Sequence, residues 1–242
     1  PAAFGNRSLS WPQEPFMSTI LLSPLKCTGK VTIASTFQNQ GLKIQSAGVE
    51  WTITEFNENT PIASSLVKLS LNPGINQHKI ILTVENHKLW QLEAPKLYVL
   101  TTTITLKDEC SDVSVTRFGF REFTASGKNF QLNGQKIILK TTFNEAFYPH
   151  SLAYPRDLEL LKKEFRLIKE GNINMIRPWR KPQPKIVYDL ADEMGILFVG
   201  ALPVECMDNW SQITPYTKQR LKNETILQSS SGKCSTKSCA PA

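Results

Sequence analysis

The first half of the chain alternates apolar and polar residues with a period of two. In GVEWTITEF, Val49, Trp51 and Ile53 fall on one side while Thr52 and Thr54 fall on the other. GKVTIAST repeats the alternation with Val31 and Ile33, and KLYVLTTTITL with Tyr98, Leu100, Ile104 and Leu106. QHKIILTVE and VSVTRFGF continue the series, and Asn39-Gln40-Gly41 and Asn72-Pro73-Gly74 supply turn signals between strands. Short strands rich in Val, Ile, Thr and aromatics, at this spacing, predict an antiparallel immunoglobulin-like β-sandwich of about 100 residues.

Near Phe130 the period changes. NFQLNGQKIILK predicts a hairpin turning at Asn133-Gly134, because that dipeptide accepts two positive φ angles at little cost. PRDLELLKKEFRLIKEG then places Leu158, Leu161, Phe165 and Ile168 at helical spacing, with Asp157 at the start and Gly171 at the stop. An apolar strand, Ile173–Ile176, follows. PKIVYDLADEMG predicts a second helix with an apolar stripe of Ile186, Leu190 and Met194 and a stop at Gly195, and ILFVGAL a third strand. Strands alternating with helices through short connections predict parallel βα units. TKQRLKNETILQ reads as one more helix, and the Ser-, Lys- and Cys-rich end SSSGKCSTKSCAPA as a disordered tail.

This pattern divides the chain into residues 1–14 as a linker or remnant of a preceding domain, 15–125 as the sandwich, 126–228 as the opening of an α/β domain and 229–242 as the tail. The 242 residues are 40% hydrophobic and 20% charged, an ordinary globular balance that needs no disulfide or metal to hold a core. No apolar run reaches the roughly 18 residues of a membrane-spanning helix, so no membrane is expected as a partner. The formal charge of +7 is spread along the chain. It forms no basic stripe with interleaved aromatics, so no nucleic-acid partner is expected. Five cysteines without a C-x-x-C pair, and three isolated histidines, predict no metal site, and no cofactor motif is present. The chain starts at Pro1 without a leader pattern and reads as the interior of a longer product. An extracellular or periplasmic setting is favoured, and the oligomeric state is left open.

The segments LWQLEAPKLYVLTTTIT, FGFREF, FQLNGQKIILK, LIKEGNINMIRPWRKPQP and YDLADEMGILFVGALP, taken in that order, resemble glycoside hydrolase family 2, the β-galactosidases, β-glucuronidases and β-mannosidases. The resemblance implies a jelly-roll domain, a sandwich and a (β/α)₈ TIM barrel, of which this chain would carry the sandwich and a truncated barrel. It implies a carbohydrate substrate and hydrolysis of O-glycosidic bonds by a retaining pair of carboxylates. Both catalytic glutamates of the family belong to the fourth and seventh barrel strands. None of the residues of this chain is therefore expected to be catalytic, and the chain is expected to be inactive alone.

Chemistry in such a barrel sits at the carboxyl ends of the strands. INMIRPWRKPQP puts Arg177, Trp179 and Arg180 at the end of the second strand. There Trp179 could offer a plate to a sugar ring, and Arg177 could pair with a carboxylate of the site or a substrate oxygen. Asn144 and Glu145 after the first strand, and Glu205 after the third, complete the expected substrate-binding set. The chain departs from the family's pattern. Thr141, Phe143 and Glu145 stand where a Gly, an Asn and a His are usual, Arg180 where a His is usual, and Gly200-Ala201 where an acidic pair is usual. Arg121 and Glu122 are expected to tie the sandwich to the barrel, and Trp51 and Trp90 to serve as sandwich core and strand-end packing rather than ligand plates. Asp189 is expected to face solvent or a neighbouring helix. Two other readings stand beside the enzyme fragment: a non-catalytic sandwich module holding carbohydrate or a protein, and a degenerate paralogue with an emptied pocket.

Overall fold

The computed structural model describes residues 16–24, 28–107, 109–144, 148, 157–179, 183–200 and 214–230. The chain forms two compact units. Of the described residues, one takes in 16–23, 30–85 and 98–118; the other takes in 24, 28–29, 86–97 and those from Gly119 onward.

The first unit holds β1 (Phe16–Pro24), β2 (Lys30–Asn39), β3 (Gln45–Glu55), β4 (Pro61–Leu71), β5 (Gly74–Thr83), β6 (Tyr98–Leu106) and β7 (Glu109–Phe118). They make a three-stranded sheet in the order β1-β2-β5 and a four-stranded sheet in the order β4-β3-β6-β7. Pairing of β2 with β5, and of β3 with β4 and β6, is antiparallel. The period-two alternation is realised as burial. Val31, Ile33, Val49, Trp51, Ile53, Leu100 and Ile104 are fully buried, with Thr102 buried on the same side, and the outward polar positions between them stay at least partly open. The two inner faces meet where the Trp51 indole Nε1 donates to Ser35 Oγ at 3.1 Å, so each buried polar group satisfies the other. Phe37 packs edge-on against Trp51, and the His78 ring stacks on it at 5.7 Å.

The turn signals at 39–41 and 72–74 do not close hairpins. β2 and β3 lie in different sheets, as do β4 and β5, so both turns carry the chain across the sandwich. Asn39 holds them together. Its buried amide donates to the carbonyls of Lys43 and Leu71, both at 2.9 Å, and its Oδ1 accepts from Gly41 N–H.

In the second unit β8 (Phe123–Ser126), β9 (Asn129–Leu132) and β10 (Gln135–Ile137) form an antiparallel sheet in the order β10-β9-β8. The β9–β10 turn is the predicted one, with Asn133 at φ 55° and Gly134 at φ 82°. Then come β11 (Thr141–Asn144), α1 (Leu158–Glu170), β12 (Met175–Pro178), α2 (Lys185–Met194) and β13 (Leu197–Phe198). β11, β12 and β13 are parallel neighbours in chain order, as two successive βαβ units require. The Asp157 side chain caps α1 by accepting from Glu159 N–H, and Gly171 closes it. Gly195 ends α2 in the left-handed region at φ 71°.

Two local expectations shift. The second parallel strand begins two residues later than the apolar run suggests and includes Arg177 and Pro178. The buried stripe of α2 is Val187, Leu190 and Ala191, with Met194 packed beside it, while Ile186 is 43% exposed. Ile186 and Val187 are adjacent, and the phase of the helix favours the valine because Leu190 and Ala191 follow it at three and four residues. Leu161, Phe165, Ile176, Val187, Leu190, Ala191, Ile196 and Phe198 form one core between the helices and one face of the parallel sheet. A last helix, α3 (Pro215–Ser230), spans the helical segment expected there. Among the described residues no helix is long and apolar enough to cross a membrane.

Residues 86–97, which run between β5 and β6, lie against the βα units. Trp90 is fully buried; its N–H donates to Phe120 O at 2.9 Å and its indole Nε1 to Asp192 O at 2.7 Å. The Arg121 guanidinium lies over the indole at 4.5 Å and pairs with the Asp192 carboxylate at 3.3 Å. The Asn133 amide donates to Trp90 O, and Lys169 Nζ donates to both Leu92 O and Met194 O at 2.7 Å. Arg121 thus makes its charge-assisted bond to α2 within its own unit. Asp189 pairs with Lys185 one turn earlier on α2.

Candidate functional site

In-register neighbours of a parallel sheet point the same way, so the pairing sorts the side chains of β11, β12 and β13 into two faces. Ile176 and Phe198 belong to the core with α1 and α2, so Thr142, Asn144, Pro178, Ile176 and Phe198 form the helix side. Thr141, Phe143, Met175, Arg177 and Leu197 form the opposite face, the side that turns inward in a barrel.

Arg177 and Phe143 are direct partners in the register, one residue before the carboxyl ends of their strands. The guanidinium carbon of Arg177 lies over the Phe143 ring, 5.6 Å from its centre. Trp179, just past the end of β12, packs edge-on against the same ring at 5.1 Å, and its N–H donates to Asn144 O at 2.9 Å. Phe143 is 43% exposed and Arg177 is exposed. The result is a cation over one aromatic ring, with a second ring against the first, at the end of a parallel sheet where chemistry collects in barrels.

Asn144 is placed differently. Its side chain belongs to the helix side, where Nδ2 donates to Glu164 Oε1 at 2.8 Å. The Tyr148 hydroxyl donates to the other oxygen, Glu164 Oε2. Burial, and then the hydrogen bond and charge of Glu164, push the Tyr148 phenol well above the ordinary range. Glu164 therefore locks the end of β11 to α1. Three expected residues, Glu145, Arg180 and Glu205, lie outside the described residues. No group of three or more His, Cys, Asp or Glu among the described residues is arranged to hold a metal ion.

Sequence reading brought Arg177 and Trp179 forward but passed over Phe143 as a participant, and Glu164 and Tyr148 altogether. Glu164 did carry a signal: it lies three residues after Leu161 and four before Ile168, a carboxylate on the phase of the apolar stripe. Tyr148 carried none.

The Tyr148 shift has a consequence for stability. Below about pH 10 the phenol is neutral in both folded and unfolded chains, so no stability is lost. Above that pH the unfolded chain releases the proton while the folded chain keeps it, so the folded state weakens as pH rises. Tyr148→Phe is expected to flatten the fall in urea midpoint between about pH 9 and pH 11 relative to the wild type. Parallel curves for the two proteins would contradict the assignment.

A β-sandwich followed by parallel βα units, with polar and aromatic groups at the strand ends, defines a multidomain β plus α/β protein of barrel type. The sequence pattern described as Glycosyl hydrolases family 2 matches residues 14–121, and that described as Glycosyl hydrolases family 2, TIM barrel domain, matches residues 123–235. The chain belongs to glycosyl hydrolase family 2. It is 29% identical over 151 residues to a beta-galactosidase of Staphylococcus xylosus, covering 62% of this chain and 14% of that protein. It is 33% identical over 122 residues to a beta-galactosidase of Thermoanaerobacterium thermosulfurigenes, covering 48% and 16%. The chain thus spans less than a fifth of either relative. In fold it is similar to the crystal structure of a family 2 beta-galacturonidase from Eisenbergiella tayi bound to galacturonate. The TM-score is 0.77 at 20% identity, with 91% of this chain and 39% of that one covered. It is also similar to a beta-glucuronidase from Parabacteroides merdae, with a TM-score of 0.70 at 23% identity over 89% and 27%.

Proposed function

We propose that the chain forms part of a glycoside hydrolase that cleaves O-glycosidic bonds by a retaining mechanism, with Arg177 and Trp179 in its sugar pocket. The observation that carries this reading is their placement. Both lie against Phe143 on the sheet face turned away from the helices, at the carboxyl ends of parallel strands. Membership of a family whose named relatives are glycosidases supports the reaction class. On this reading residues 15–125, apart from segment 86–97 and the residues from Gly119 that group with the βα units, act as the sandwich domain and 126–228 as the opening of the barrel. Arg180, Glu145 and Glu205 join the rim of the pocket, and Asn144 acts from behind through Glu164.

A retaining mechanism needs two carboxylates about 5–5.5 Å apart, one attacking the anomeric carbon and one protonating the leaving oxygen. The described residues of the inward face, Thr141, Phe143, Met175, Arg177, Leu197 and Trp179, include no carboxylate. This chain therefore supplies orientation and charge, and the reacting carboxylates come from other barrel strands. Trp179 presents an apolar plate to the C–H face of a sugar, and Arg177 a charged donor to an oxygen at the reacting centre.

In the full-length protein, Arg177→Ala is expected to lower kcat/KM on a chromogenic β-glycoside by about 10²-fold, the effect of losing one well-placed charged donor. The 242-residue chain alone is expected to show no turnover of the same substrate. A loss below about threefold for Arg177→Ala, or turnover by the chain alone, would falsify the assignment.

A further inference from the structure

Arg177 has one aromatic partner and, among the described residues, no hydrogen bond or ion pair. The guanidinium carbon sits over the Phe143 ring, and the group carries five N–H donors in a rigid fork. That fork finds in a neutral hydroxyl a single oxygen, with no second one for a parallel bond. It matches a carboxylate, which accepts two parallel ones. The partner ring is fixed in its turn. Phe143 pairs with Arg177 in the strand register, and the Trp179 edge abuts it at 5.1 Å. The described inward face holds no carboxylate of its own to occupy the fork.

We infer that Phe143 is a positioning residue that sets the plane of the Arg177 guanidinium, so that its N–H edge receives a carboxylate at the carboxyl ends of the parallel strands. This rests on the glycosidase reading above. The carboxylate has two possible sources: an acidic sugar, or a carboxylate of the protein itself. The chemistry at Arg177 is the same for both, and substrate comparison separates them.

The experiment compares wild type, Phe143→Leu, Phe143→Tyr and Arg177→Lys in the full-length protein, on an aryl β-uronide and the matching neutral aryl β-glycoside. Phe143→Leu is expected to lower kcat/KM about tenfold or more, Arg177→Lys to match it, and Phe143→Tyr, which keeps the ring, to stay near wild type. A loss confined to the uronide assigns the carboxylate to the substrate. An equal loss on both, with a displaced acid limb of the pH profile, assigns it to the protein. Wild-type rates for Phe143→Leu on both substrates, or an equal loss for Phe143→Tyr, overturn the inference.

If wild type hydrolyses neither glycoside, the glycosidase reading fails on its own account. The inference is then judged by calorimetric titration with free galacturonate against galactose. There Phe143→Leu is expected to weaken the uronate selectively where the sugar supplies the carboxylate and both sugars where the protein does, and unchanged binding of both overturns it.

Discussion

Replacing Gly195 with alanine is expected to destabilise the βα unit by about 2–5 kcal/mol, the sum of two separate effects. The residue sits at φ +71°, where an L side chain is strained by about 1–2 kcal/mol. Its added Cβ would also lie 2.0 Å from the carbonyl oxygen of Leu92 and 2.8 Å from the carbonyl carbon. Both are backbone atoms, so no rotamer change relieves the overlap. Either α2 or segment 86–97 must shift, and that displaces the Lys169 bonds to Leu92 and Met194 as well. Gly127 provides the control. It has φ +58° with nothing within 4 Å of its Cβ position, so Gly127→Ala carries only the conformational strain. Urea denaturation of the two variants side by side separates overlap from strain. Equal losses would show that the approach of Leu92 to Gly195 is not a constraint.

Trp90→Ala is expected to weaken the same unit by about 3–5 kcal/mol, the usual cost of emptying a fully buried aromatic site. The indole is fully buried beneath the Arg121 guanidinium, and it also donates to the Asp192 carbonyl of α2. Removing it leaves that carbonyl without its 2.7 Å donor and takes away the ring beneath Arg121. Trp90→Phe keeps part of the volume and loses the donor, so it is expected to fall between wild type and alanine. Hydrogen exchange of the α2 amides reports the effect locally. If α2 keeps its protection in Trp90→Ala, the tryptophan does not anchor that helix.

Fold class was legible because both halves carry a clean period. Val49-Trp51-Ile53 alternates, and Leu161, Phe165 and Ile168 recur at helical spacing. β4 escaped notice for a physical reason. It is an edge strand whose inward positions, Ala63, Ser65, Val67 and Leu69, are small or mixed, while Ile62 and Leu66 point outward. Its alternation is therefore blurred. The 39–41 and 72–74 turns were visible as turns, but no turn residue tells whether the next strand joins the same sheet. At the site, Arg177 and Trp179 stood out because cations and indoles are unusual at the end of an apolar strand. Asn144 could not be assigned to a face without the register. Shifting a strand by one residue reverses every side chain on it, and only the pairing with Pro178 fixes Asn144 on the helix side. Phe143 looked like a lost hydrogen bonder in sequence and is, in three dimensions, the floor beneath Arg177.

The path of the chain through residues 86–97 bears on how this protein can be divided. The polypeptide leaves the sandwich after Glu85, lends twelve residues to the other unit, and returns at Tyr98 to complete the four-stranded sheet. No single scission therefore yields two whole parts. A cut near residue 119 strips the βα half of Trp90 and Leu92, and leaves the sandwich trailing an uncovered indole. The units are spliced by topology, so a sandwich lifted out of this protein keeps its four-stranded sheet only if segment 86–97 travels with it.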